Sequence, residues 1–101
     1  MVIEKITLTA EFREQVVDYK NLRTDVIVHL DNGDRYVAAF CTTQKLREMM
    51  KHEELKAAQT GVSFYKLIET VLIADLDLKE VRAIVKRMLA EGDFQLAFKR
   101  M

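Results

Sequence analysis

The chain has 101 residues, half of them apolar and 32% charged, enough for one domain with a single core and too apolar for a disordered segment. Sixteen basic and sixteen acidic residues cancel, and neither half is biased: seven basic and eight acidic in residues 1–50, nine and eight in the rest. Without clustered Lys and Arg no field steers the chain onto nucleic acid or an acidic membrane, and no apolar run reaches the roughly 20 residues of a membrane span.

Along the chain, Glu4 and Lys5 interrupt the opening residues, which do not read as a secretory leader. Ile6, Leu8, Ala10 and Phe12 alternate with polar residues and predict a half-buried strand. Residues 14–19 suit either a short strand or a helical turn. Two apolar-rich runs, about 25–31 and 34–41, then flank Asp31-Asn32-Gly33-Asp34, and an Asn-Gly at this place signals a hairpin because both residues tolerate positive φ.

The hairpin register follows from charge and pattern. A two-residue turn would set Asp31 against Asp34 and put Arg35 on the face of Val26, Val28 and Leu30. A three-residue turn, Asp31 to Gly33, instead joins those three to Tyr36, Ala38 and Phe40. It leaves Asp25, Ile27 and His29 with Arg35, Val37 and Ala39 on the second face. This register is the expected one.

Thr42 or Thr43 can cap a helix over about 43–59, with Gly61 as its stop and Leu46, Met49, Met50 and Ala57 as its buried stripe. Residues 62–74, rich in β-branched and aromatic side chains, read as strand for much of their length. Asp77, with Glu80 three residues on, resembles a capping box that opens a helix over about 77–90, ended by Gly92. Asp93 then starts a short helix over about 93–100, with Phe94, Ala97, Phe98 and Met101 on one side. The expected architecture is a single α+β domain over residues 1–101, an antiparallel sheet built on the central hairpin with these helices packed on it.

The segments Asn32-Gly-Asp-Arg-Tyr-Val-Ala-Ala-Phe40 and Glu91-Gly-Asp-Phe-Gln-Leu-Ala-Phe98 resemble those of a family of small uncharacterised bacterial proteins of about this length. The resemblance covers most of the chain after residue 20. It implies a bacterial, cytosolic origin and carries over no activity and no functional residue. The single cysteine, Cys41, agrees with a reducing cytoplasm.

Chemistry-bearing motifs are sparse. His52-Glu53-Glu54-Leu55 begins like a zinc-protease helix, but Lys56 stands where the second histidine belongs. Cys41 and His29 fall roughly 20 Å apart along paired strands and cannot share a metal. Asp75 and Asp77 read as helix caps rather than as a calcium loop. Ser63, the only serine, has no glycine-rich elbow, and Cys41 reads as a core thiol. No metal, cofactor or catalytic residue is therefore assigned.

The expected function is that of a non-enzymatic accessory or regulatory protein acting through protein contacts, with another protein or with itself, possible homodimer included. Its candidate contact residues are His29, Arg35, Leu55, Phe94, Phe98 and Met101; the apolar face of the last three is expected first to fold back on the core, and otherwise to dock on a second subunit or a partner. Two alternatives stay open. A nucleic-acid regulator would use the basic face of Lys79, Arg82 and Lys86, where residues 77–101 carry six basic and four acidic groups. A small enzyme would centre on an acid–base group, Glu53 or His29, and requires a deep pocket around it.

Overall fold

In a computed structural model of the protein, residues 2–13, 16–60 and 69–101 are described, residues 56–60 by their backbone alone. The chain runs β1 (Ile3–Leu8), α1 (Ala10–Arg13), β2 (Arg23–Leu30), β3 (Arg35–Thr42), α2 (Thr43–Thr60), β4 (Thr70–Ile73), α3 (Leu78–Glu91), α4 (Phe94–Ala97) and β5 (Lys99–Arg100). It is an α+β domain whose sheet is built on the β2–β3 hairpin, as expected.

The hairpin has the three-residue turn. Leu30 N–H donates to the Asp34 carbonyl at 2.9 Å, and Gly33 N–H to the Leu30 carbonyl at 3.1 Å. Val26 pairs with Ala38, Val28 with Tyr36 and His29 with Arg35. Gly33 sits at φ 90°, in the left-handed region, with open space where a Cβ would stand. Strain alone should therefore decide a substitution there. Gly33→Ala is expected to lower stability by about 1–2 kcal/mol in urea unfolding, and Gly33→Asn by less.

β1 pairs antiparallel with β2, with a register shift between Ile3 and Lys5. On its other side β3 carries two strands in tandem: β4 runs parallel along Ala39–Thr42, and β5 antiparallel along Tyr36–Val37. The alternation of β2 makes the layers. Val26, Val28 and Leu30 are fully buried with Leu8 and Phe40, and Val81 and Val85 from α3, Phe94 from α4 and Phe98 just after it close over them.

Five local expectations change. The first strand stops at Leu8, and Ala10–Arg13 turns helical, leaving Phe12 75% exposed. Thr9 N–H makes the last ladder bond, to the Asp25 carbonyl. Ala10 N–H is then taken by the Thr24 hydroxyl and Phe12 N–H by the Thr9 carbonyl, so both leave the ladder with β2. Residues 16–19 are neither strand nor helix.

α2 is capped by Thr42, whose hydroxyl accepts from Lys45 N–H. Its stripe is not buried: Leu46 and Met49 are half-buried and Met50 is 44% exposed. The Ala57 side chain, the Gly61 stop, Ser63 and the first part of the expected 62–74 strand lie outside the described residues.

The carboxylates before α3 do cap it, in a different pattern from a capping box. Asp77 accepts from Lys79 N–H, while Asp77 N–H is taken by Asp75 instead of Glu80. Gly92 ends the helix at φ 81°. The expected last helix is cut short after Ala97, where Phe98 turns extended (φ −100°, ψ 136°) and the chain joins the sheet as β5.

Candidate interaction surface

The strand registers set out the second face of the sheet as rows of neighbours. Lys5 stands opposite His29, and His29 opposite Arg35. Met101 N–H donates to the Arg35 carbonyl at 2.9 Å, which continues the row through β5. The next row is Thr7, Ile27, Val37 and Lys99. Asp25, Ala39 and Thr70 follow, and then Arg23, Cys41 and Leu72.

This face has an apolar middle and a charged margin. Ile27, Val37 and Ala39 are half-buried and Leu72 is 43% exposed, and none of them belongs to the core cluster. Around them stand Lys5, Arg23, Arg35 and Lys99, all exposed, against Asp25 and against Glu69, which pairs with Lys99 at 2.6 Å. Arg100 ties β5 to the hairpin through Asp34 at 2.9 Å. Cys41 is fully buried, and burial pushes its thiol above the usual range, as befits a core group.

His29 is half-buried in its row, its Nε2 3.1 Å from the Thr7 hydroxyl. Burial lowers its pKa below 6.5, and Lys5 and Arg35 lower it further against a smaller opposing effect of Glu4. The unfolded chain therefore takes up a proton near pH 6.5 that the folded protein refuses until lower pH. Stability should fall as pH drops from about 6.5 to the native pKa and gain nothing from this residue above it. Urea midpoints at pH 7.5 and 5.5 should show a larger loss for the wild type than for His29→Gln.

Of the six expected contact residues, His29, Arg35 and Met101 share one row, with Met101 58% exposed. Phe94 and Phe98 do not belong to any surface: each is 2% exposed. Their rings stack at 4.6 Å, Phe94 meets Tyr36 edge-on at 5.2 Å, and Phe98 lies 5.8 Å from Phe40. An apolar i, i+4 pair beside an aromatic-rich strand is drawn into the core. Leu55, 65% exposed, stands apart on α2.

Lys79, Arg82 and Lys86 divide between two hollows. Lys79 borders one with Asp77, Glu80 and Ile84, whereas Arg82 and Lys86 border another of about 360 Å³ with Val2, Ile3 and Leu89. Glu53 is half-buried beside a hollow of about 300 Å³ shared with Lys45, Met49 and His52. The largest of these four hollows, about 570 Å³, lies between residues 17–20 and the start of α3. His29 lines none of these four.

Among the described residues no group of three or more His, Cys, Asp or Glu could hold a metal ion, and no helix is long and apolar enough to cross a membrane. No protein-family model, curated protein or solved structure matches the chain.

Proposed function

We propose that the protein is a binding module, an accessory or regulatory protein that holds a protein partner against the second face of its sheet. The observation that carries this reading is the apolar middle of that face, Ile27, Val37, Ala39 and Leu72, standing outside the core cluster. A contiguous half-exposed apolar patch with a polar rim has the anatomy of a contact surface. The charge of the rim supports a reading of the partner's chemistry. Lys5, Arg23 and Arg35, all exposed, outnumber Asp25, so the surface suits a partner with acidic groups around an apolar contact. The lone thiol suits a reducing cytoplasm, in keeping with the bacterial resemblance of the hairpin.

A photo-crosslinking side chain placed at Val37 in living cells is expected to yield one discrete adduct, and Arg35→Glu with Lys5→Glu to remove it. The control is the exposed Gln95 of α4, on the far side of the core. Absence of an adduct from Val37, or the same adduct from Gln95, overturns the proposal.

A further inference from the structure

One flank of α3 carries opposite charge at its two ends. Leu78, Arg82, Lys86 and Leu89 follow one another at spacings of four, four and three residues and so form a single stripe about 16 Å long. Beyond its N-terminal end lies the 570 Å³ hollow, where Asp18, Asp75 and Asp77 surround Val17, Tyr19 and Leu78, with Lys20 the single cation among the described lining residues. At its C-terminal end the 360 Å³ hollow is lined by Arg82 and Lys86 against Val2, Ile3 and Leu89, with no carboxylate among the described lining residues. Exposed apolar groups sit at both ends: Leu78 is 43% exposed and Val2 61%.

We propose that this flank docks a second copy of the chain, with the two α3 helices antiparallel. Both halves of the charge match are then present in one molecule. Turning a second copy about a two-fold axis near residue 80 brings its Arg82 to Leu78 and its Lys86 to Asp75, and repeats the same contacts in reverse. Such an interface uses one patch on both copies and closes on itself. Moving the axis toward residue 84 would set Arg82 against Lys86 of the other copy, so like charges exclude that register. The chain's zero net charge adds no long-range repulsion between copies. Because α3 lies on the core side of the sheet, this contact is separate from the proposed partner face, and both can be occupied together.

The test is sedimentation velocity over a concentration series, in about 50 mM and about 500 mM salt. The wild type is expected to dimerise, with a Kd that rises roughly tenfold or more at the higher salt. Arg82→Glu with Lys86→Glu should give a monomer, as should Asp18→Lys with Asp75→Lys, each checked for folding by circular dichroism. Mixing the two variants should restore a dimer, now mixed, because one is acidic at both ends and the other basic. A wild type that stays monomeric at about 200 μM in low salt overturns the proposal. So does a dimer indifferent to salt and to the reversals, or two folded variants that fail to pair. Should a variant not fold, the wild-type salt series still decides.

Discussion

Replacing Phe98 by Ala is expected to cost about 3–5 kcal/mol, a large part of the stability of a domain this size, and to leave a substantial unfolded fraction in thermal or urea melts. The ring is 2% exposed, stacks on Phe94 at 4.6 Å and faces Phe40, so its removal empties the centre of the packing between sheet and helices. Neighbours cannot refill the space. Phe40 is fixed in β3 and Phe94 in α4, and the extended backbone at Phe98 is where the chain leaves α4 for β5. The substitution therefore also loosens β5, and with it Met101 and Lys99 on the second face. The prediction separates two roles for the terminal aromatics. Docking residues would leave the isolated chain as stable as before and weaken only an assembly. Core residues lower the unfolding midpoint at every protein concentration, which is the expected result.

The same residues show what the sequence could and could not reveal. The hairpin was readable to the residue, because Asn32-Gly33, the Asp31–Asp34 charge clash and the alternation of β2 all select one register. The caps, which are local chemistry, were readable in part: that of α2 as Thr42 or Thr43, and Asp77 as a cap whose own N–H goes to Asp75 instead of Glu80. The alternation that continues through Ala10 and Phe12 misled, since a strand also needs a partner, and β2 ends its ladder at Asp25. The 3.6-residue spacing of Phe94, Phe98 and Met101 misled in the same manner. Packing holds the two rings together whether or not the helix goes on, and Met101, just past β5, donates its N–H to the Arg35 carbonyl.

For the candidate surface, His29 and Arg35 followed from the register alone. Met101 was named as part of a helical face and reaches the row through β5. Lys5 and Lys99 were missed, because they join the surface only through strand pairs whose partners lie 24 and 62 residues away along the chain. A two-residue strand such as β5 carries no periodicity to detect. α2 went astray for a related reason: Leu46, Met49 and Met50 have the spacing of a buried stripe, and only the tertiary structure shows that none of them enters the core cluster.

Thr42 is the second position where a single change should be costly. Its hydroxyl oxygen accepts two backbone N–H groups, from Leu22 at 3.1 Å and from Lys45 at 3.2 Å, while its own N–H donates to the Leu22 carbonyl at 2.9 Å. One fully buried side chain thus caps α2 and fastens the chain entering β2 to the end of β3. Thr42→Val keeps the shape and removes the acceptor. The Leu22 N–H, in a buried place, then has no partner, a loss of about 1–3 kcal/mol, and the missing cap adds about 1 kcal/mol. A total near 2–4 kcal/mol is expected by urea unfolding. Thr42→Ser keeps the oxygen and gives up one methyl group, so it should retain most of the stability. The loss in Thr42→Val should also show as faster amide exchange at Leu22 and Lys45, with the Val28 amide, deep in the β2–β3 ladder, protected until global unfolding. If Thr42→Ser proves as costly as Thr42→Val, the methyl group matters as much as the hydroxyl, and the oxygen is not the sole fastening. If only Val is costly, a single oxygen holds α2 to the sheet in place of the apolar packing that α3 enjoys. That is why α2 can leave the sheet at Thr42 without placing any of its described side chains in the core.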